Sequence, residues 1–423
     1  MAMERSFDFL FAGAGILGSS AAFALSMELE RRGERASIGV IDLDLEGENS
    51  STLKNAGGVR ATWRSRANIE LCKYSIDFYE TILEIIQFRE FGYYWMHGGA
   101  SWKEVNENHP LYVEYGLPVE LYPPEDAPRI IPLVTGTVGI AGLSISRKAG
   151  LIDHYSLREY YRGSAKGRGV EFISGCYVNG VKVEDGRATA VTAYDLGGLG
   201  KGTGGYGDAA REILTKGAPD KDLPVTEFEC GTLINTAGAW APVVSRLYGF
   251  EDDAIKPRRR QMVVIDAPDV DLSAYGMVID TSDVYFHQEG TGILAGYSNM
   301  DEPAGYNFDF SFGGMSEESR FVKYIWEPLY RRMNKFEKVR LVRGWAGIYA
   351  ETPDRSGYLG KVPGFGNIYE CAGHTGRGLM ISYGAGVALA DIILDGKPRS
   401  ELKHAADLSR ERKAGPLYEG LHL

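Results

Sequence analysis

The hydrophobic pattern changes period several times within residues 7–42. Phe7 and Phe9 to Ala12 read as a short apolar strand and a glycine turn follows; a helix then begins at Ile16, and Ala36 to Ile41 reads as a second strand with Asp42 at its end. Strand, turn, helix, strand and acid, in that order, form a dinucleotide clamp. Gly13, Gly15 and Gly18 fit G-x-G-x-x-G. The first permits the tight turn, the second lets a pyrophosphate approach the backbone at the helix N-terminus, and the third lets helix and strand pack closely. A carboxylate at Asp42 can accept from both ribose hydroxyls of an adenosine, which points to NAD or FAD.

Further along, EFECGTLINTAGAWAPVVSRLYG predicts a strand over Glu229 to Asn235, a small-residue turn at Thr236 to Gly238, then a helix. A helix from about His154, a strand near Val170 to Ser174 and another over Val178 to Val183 precede it, and strands alternating with helices mean a parallel sheet. Leu83 to Arg147 is rich in aromatics and prolines; Lys256 to Arg340 carries alternating strands and then a helical stretch over Glu317 to Arg332. These two regions predict a second, largely antiparallel sheet. The chain thus leaves the nucleotide domain twice and returns twice: residues 1–84, 148–250 and 341–400 form one domain, 85–147 and 251–340 the other, and 401–423 a tail. The last return is a strand at Ile368 to Ala372, a glycine-rich loop and a long apolar helix ending near Gly396.

Gly200, Gly202 and Gly205 in GLGKGTGGYG repeat the clamp spacing without a strand before them or an apolar helix after them. Gly197 to Asp222 therefore reads as the tip of a β-hairpin extension, or a loop that docks a partner protein, and not as a nucleotide site.

Composition narrows the class. A chain of 423 residues with 44% hydrophobic positions can bury two cores. The net charge of −11 argues against nucleic acid. The densest basic run, Lys256 to Arg260, leads into an apolar strand and reads as a solvated or substrate-facing strand entrance. The 4 cysteines show no metal-ligand spacing and no disulfide framework. The clamp strand starts too early to leave room for a signal peptide and no long uninterrupted apolar run suggests a transmembrane segment, so a cytoplasmic location is expected.

Five segments in order, GAGILG with Asp42, SSTLKNAGGVR, INTAGAWA, PRRRQMVVID and WAGIYAETPDRSGYLG followed by CAGHTGRGLMISYGAG, resemble the FAD-dependent D-amino-acid oxidase superfamily. They are most similar to its sarcosine, dimethylglycine and dye-linked proline dehydrogenase branch. The resemblance implies an α/β fold: a glutathione-reductase-type FAD-binding Rossmann domain with a second, mixed or antiparallel β-sheet substrate domain. It places FAD against Gly13, Ala14, Gly15, Ile16, Leu17 and Gly18; against Asp42 and Leu43; and against Ser51, Thr52, Asn55, Ala56, Gly57 and Gly58. Val178, Thr236, Ala237, Gly238, Trp240 and Gly347 follow, and then Gly373, His374, Gly376, Arg377, Gly378, Leu379 and Met380. Reduced flavin carries negative charge near N1, and the helix opened by HTGRG would stabilise it through the backbone amides of Leu379 and Met380. Arg60 would hold anionic flavin or a substrate carboxylate. Tyr349, with Tyr285 and His287 on a substrate-domain strand, would face the ring, and His374 is an alternative proton handler.

The chain also departs from the family. Sarcosine oxidases bond FAD through a cysteine where Gly347 stands, so non-covalent FAD is expected. Their oxygen-activating lysine has no counterpart in the NMDEP that follows GILAGYS, which favours a dehydrogenase over an oxidase. Met380 replaces their carboxylate-binding lysine, and a nearby second arginine falls close to Trp63 or Arg64. The expected activity is oxidation of the C–N bond of a secondary or tertiary amine or amino acid by hydride transfer to flavin N5. The acceptor is open between a quinone, an electron-transfer protein and O2. Two alternatives stand: a flavin-dependent 2-hydroxy-acid dehydrogenase, which needs His287 or His374 as base, and a non-catalytic flavin-bearing assembly protein with a partner at the 197–222 segment. No metal is expected.

Overall fold

Continuous burial at Leu10, Phe11 and Ala12 marks the first strand as a central one, covered on both faces. The computed structural model describes residues 5–47, 49–197, 205–216, 223–298, 302–411 and 417–419. The elements begin with β1 (Arg5–Ala12), α1 (Ile16–Arg32), β2 (Ile38–Asp42), β3 (Gly58–Val59), α2 (Arg66–Thr81), β4 (Tyr93–His97), α3 (Gly99–Glu114) and β5 (Val119–Tyr122). They continue with α4 (Ala127–Ile130), β6 (Gly142–Ser146), β7 (Gly150–Leu151), α5 (His154–Lys166), β8 (Glu171–Ser174), β9 (Cys176–Glu184), β10 (Arg187–Asp195), α6 (Gly205–Lys216) and β11 (Val225–Asn235). After α7 (Ala241–Leu247) come β12 (Lys256–Asp266), β13 (Met277–Ile279), β14 (Val284–Glu289), β15 (Gly292–Tyr297), α8 (Glu327–Arg332), β16 (Arg340–Glu351), β17 (Tyr358–Lys361), β18 (Ile368–Ala372) and α9 (Gly378–Asp395).

The first sheet runs β17-β18-β11-β1-β2-β8, with β9 and β10 added as an antiparallel extension of β11. β1 is parallel to both neighbours, and Ala12 lies opposite Asn235 and Ile41. Three strands therefore end level, and the loops after them converge at one sheet edge, where open α/β sheets bind ligands. One face is covered by α1 and α9. Ser20 Oγ donates to the Ser382 carbonyl at 2.7 Å, and a Cβ on Gly386 would stand 2.8 Å from the Ser20 carbonyl oxygen. α9 is long and apolar enough to cross a membrane, but most of it is buried here against α1 and α2.

The second sheet runs β16-β12-β15-β14-β13-β4-β6-β5 and is antiparallel except where β13 meets β4. Phe286, Phe312, Phe321 and Phe336 fill the core on one of its faces. β16 bridges the sheets: it pairs with β12 along its length, and beyond it Thr375 N–H donates to the Ala350 carbonyl at 2.9 Å.

Several elements differ from the sequence expectation. β16, assigned above to the nucleotide domain, belongs to the second sheet because it pairs with β12. Residues 85–147 contain the 16-residue helix α3 among their strands, with Pro110 inside it. The helical stretch placed at Glu317 starts at Arg320 and passes through a π turn at Val322–Trp326. The hairpin of β10 and β11 exists, but α6 lies between its strands. Ala210 and Ile213 of α6, three apart, bury against Leu43, Tyr177 and Leu196. The helix that follows the second glycine motif is amphipathic and not apolar; Gly200 and Gly202 lie outside the described residues. The expected tail is built in as well. Leu402, Ala405 and Leu408 join the core beside α2, and Arg410 pairs with Asp252 at 2.6 Å and with Glu370. The Glu419 carboxylate accepts from Arg64 N–H at 2.8 Å and Ser65 N–H at 3.0 Å, next to the N-terminus of α2.

Candidate active site

The turn after β1 is as tight as its glycines allow. Gly13 has φ +107°, and a Cβ there would stand 2.6 Å from the Thr236 carbonyl oxygen; one on Gly18 would stand 1.9 Å from the Gly13 carbonyl oxygen. Asp42 is held in place by backbone: Ala14 N–H donates to its Oδ2 at 2.6 Å and Asp44 N–H to its Oδ1 at 2.8 Å. Burial pushes its carboxyl up, opposed by those hydrogen bonds. Thr52 sits at the N-terminus of α1, its Oγ1 accepting from Ile16 N–H at 3.0 Å. Arg162 of α5 backs the turn through the Ala14 and Leu45 carbonyls, a support that no sequence motif announced.

An outer cleft opens above this turn. It is lined by Gly13, Gly15, Ile16, Leu17, Asp42, Leu43, Ser51, Thr52, Asn55, Val178, Thr236, Ala237, Gly238, Trp240, Gly373, His374, Gly376, Gly378 and Leu379. Ala14, Gly18 and Gly57 stand behind the wall and shape it. Glycine backbone makes much of its floor, and an acid stands at the end of β2, where an adenosine ribose would sit. These residues fit FAD.

The cleft continues into a small inner cavity between the sheets; Ser51, Asn55, Tyr349 and Gly376 line both. Of the expected residues, Arg60, Tyr285, Tyr349, Ala56, Gly58, Gly347, Arg377 and Met380 line this cavity. Lys54, Trp63, Tyr93, Arg260, Met262 and Met277 join them. The basic run before β12 hinted at Arg260, whereas no local signal pointed to Tyr93 or Met277. The tyrosines are apolar wall: burial pushes the Tyr285 and Tyr349 phenols up, so both stay protonated.

Three guanidiniums alternate with two rings around the wall. Arg60 lies 3.7 Å from the centre of the Trp63 ring and Arg377 lies 4.7 Å from it; Arg260 lies 5.1 Å from the centre of Tyr349. Tyr349 packs against the backbone next to Arg377, since a Cβ on Gly376 would stand 2.5 Å from its Cζ. Arg60, Arg260 and Arg377 are 2%, 6% and 1% exposed. Arg60 donates to the Thr62 carbonyl, and Arg260 meets Glu351 at 3.4 Å. None of the three Arg377 nitrogens has a hydrogen-bond partner, and burial pulls this guanidinium down to about 10.

The histidines lie elsewhere. His287 Nε2 is 3.0 Å from the Ala56 carbonyl and Nδ1 is 2.8 Å from the Gln288 carbonyl, so it secures the loop behind the cavity and does not line it. His374 faces the outer cleft. Its Nδ1 donates to the Ser356 carbonyl at 3.0 Å, its Nε2 is 3.4 Å from Cys371 Sγ, and burial lowers it to about 3. α9 starts at Gly378, directly after Arg377, so its first-turn amides open beside the cavity.

The family model for FAD dependent oxidoreductases (DAO) matches residues 8–392. FAD-dependent oxidoreductase domain-containing protein 1 of Xenopus laevis is 27% identical, over 93% of this chain and 80% of that relative. Hydrogen cyanide synthase subunit HcnC of Pseudomonas aeruginosa is 24% identical, over 92% and 93%. Among solved structures, L-proline dehydrogenase from P. horikoshii superposes with a TM-score of 0.77 at 21% identity, covering 95% of this chain and 97% of that one.

Proposed function

The chain belongs to the DAO family of FAD-dependent oxidoreductases, and on that premise we propose that it oxidises the C–N bond of a secondary or tertiary amine bearing a carboxylate. One observation carries the choice: among the described residues, no Asp, Glu or His lines the inner cavity. Oxidation of a 2-hydroxy acid needs a base for the hydroxyl proton, and both candidate histidines are engaged by the protein. A neutral amine needs only to be positioned, because its lone pair assists loss of hydride from the adjacent carbon. FAD bound across cleft and cavity would accept that hydride.

The chain's own residues do the rest. Arg377 receives the substrate carboxylate in place of the lysine that Met380 displaces. Tyr93, Tyr285, Met262 and Met277 exclude water and present an apolar surface to the amine. The first-turn amides at Leu379 and Met380 would put partial positive charge where reduced flavin carries its negative charge. Gly347 leaves no thiol at the family's attachment point, and none of the four cysteines lines the inner cavity, which supports non-covalent FAD. The absence of lysine from NMDEP supports a dehydrogenase; Asn299 to Asp301 lie outside the described residues.

The test is anaerobic flavin bleaching with N-methyl amino acids, proline and 2-hydroxy acids. Bleaching by hydroxy acids alone would overturn the amine reading. Acid denaturation should release all the flavin as intact FAD, and substrate-reduced enzyme should reoxidise faster with a dye than with O2 in stopped flow.

A further inference from the structure

Arg377 is a buried cation without a hydrogen bond of its own, and burying such a group costs free energy unless a negative charge acts on it. Glu419, beyond α9 and outside every motif that marks the site, carries such a charge. It is 3% exposed, and its carboxylate accepts from donors at the start of α2: Arg64 N–H at 2.8 Å, Ser65 N–H at 3.0 Å, Ser65 Oγ at 2.8 Å and Asn68 Nδ2 at 2.7 Å. The backbone is tied down too: Glu419 N–H donates to the Asp354 carbonyl at 3.1 Å and Leu417 N–H to Asp354 Oδ2 at 3.1 Å. These donors to the carboxylate are neutral, so its charge still acts on groups farther off. Among the charged groups that act on Arg377, Glu419 has the largest effect, and it opposes the pull of burial.

We propose that Glu419 is a positioning residue of the inner cavity: it pins the turn that holds Trp63 against Arg377, and it balances the charge of that guanidinium. The proposal deepens the reading above, in which Arg377 receives the substrate carboxylate, and rests on it. Trp63 immediately precedes Arg64, whose amide Glu419 holds, and the centre of its ring lies 4.7 Å from Arg377. From the other side the Trp63 indole N–H donates to the Arg60 carbonyl at 3.2 Å, which closes the turn. Glu419 is not part of the cavity wall and acts through these two residues. Arg60, Cys72, Tyr349 and His374 stand around Arg377; Arg64, Glu104, Tyr112 and the Asp354 carboxylate stand around Glu419. Burial keeps the thiol and both phenols protonated into the alkaline range and His374 neutral.

The test uses the FAD-loaded protein and reads acetate binding from perturbation of flavin absorbance, from neutral to strongly alkaline pH at constant ionic strength. Acetate should be lost along an alkaline limb that belongs to Arg377, and Arg377→Lys should move that limb to lower pH, because lysine gives up its proton first. Glu419→Gln should move it down by about half a pH unit or more, whereas Glu419→Asp, which keeps the charge, should leave it within about 0.2 unit of its place. At neutral pH the shorter aspartate should weaken acetate by about threefold or more, since it no longer reaches the Arg64–Ser65 turn, with FAD content unchanged. A limb that stays in place in Glu419→Gln, or unchanged acetate affinity in Glu419→Asp, overturns the proposal and leaves the reading of Arg377 standing; the Asp variant decides where the Gln variant does not fold. Loss of FAD from both variants also overturns it, since Glu419 would then serve the fold alone. A limb that stays in place in Arg377→Lys, or no effect of acetate on the unaltered protein, removes the reading of Arg377 and the proposal with it.

Discussion

The outer cleft and the inner cavity adjoin each other but are built by different means. Much of the cleft is backbone: glycines bring main chain within contact distance, and three parallel strands end level so that their loops meet. The cavity is made of side chains from β4, β12, β13, β14, β16 and the loops before α2 and α9. A backbone site tolerates no added atom, whereas a side-chain site can exchange its chemistry while keeping its shape. On the reading proposed above, the first would fix the cofactor and the second the substrate.

The sharpest way to break this contrast is to add one methyl group to the backbone site. Gly18→Ala places Cβ 1.9 Å from the Gly13 carbonyl oxygen, and that neighbour cannot move without opening the β1 turn. Purified protein should carry less than about a tenth of the normal FAD and melt at a lower temperature. Full FAD content would show that the turn is looser than its contacts imply.

Next in size is Asp42→Ala. Loss of charge-assisted hydrogen bonds should weaken FAD by about 1.5 to 3 kcal/mol, with the fold intact, as read by flavin-fluorescence titration. The backbone amides of Ala14 and Asp44 lose their acceptor in the same variant, so an effect below this range would remove Asp42 from the cofactor contact.

Acid should act on both regions alike. His374 at the cleft and His97 in the second sheet are both lowered to about 3, in each case chiefly by burial. The unfolded chain takes up these protons near pH 6.5 while the folded one does not, so stability is fully present above about 6.5 and falls as pH drops toward 3. Each histidine contributes a slope of about 1.4 kcal/mol per pH unit in that window. Replacing His374 by Gln should remove one such slope from denaturant melts between pH 6 and 4; an unchanged slope would mean that His374 is protonated when folded. The smallest effect is expected from Gly205→Ala, which changes the residue that opens α6: FAD content should stay the same, and any loss would restore the second glycine motif as a nucleotide site.

What the sequence reveals follows from the same contrast. Period changes and glycine spacing are local, so β1, the start of α1 at Ile16, β18 and the αL stop of α9 at Gly396 can be read directly. Helix α3 was missed because its Gly99 start and internal Pro110 look like loop chemistry, while tertiary packing of Val105 and Tyr112 holds it together. The cavity was only half legible. Arg60, Tyr285 and Tyr349 came from family-like segments, but the meeting of Arg377, Trp63 and Arg260 depends on how two sheets are juxtaposed. His287 misled because a buried histidine beside a tyrosine on a strand looks the same in sequence whether it faces a ligand or a backbone carbonyl.

The pairing of α1 with α9 bears on how the protein is made. Ser20 bonds a partner 362 positions further along the chain. At about 5–20 residues per second, a ribosome delivers that partner on the order of tens of seconds after the first helix emerges. Strands β12 to β16 are complete before then, so the nascent chain can assemble much of its substrate sheet while the cofactor fold still lacks its covering helix. A complete cofactor fold is therefore expected only once α9 has emerged. Until then the face of α1 that packs on α9 lacks its cover, and a chain truncated before α9 is expected to retain no FAD, as flavin absorbance of the purified truncation would show.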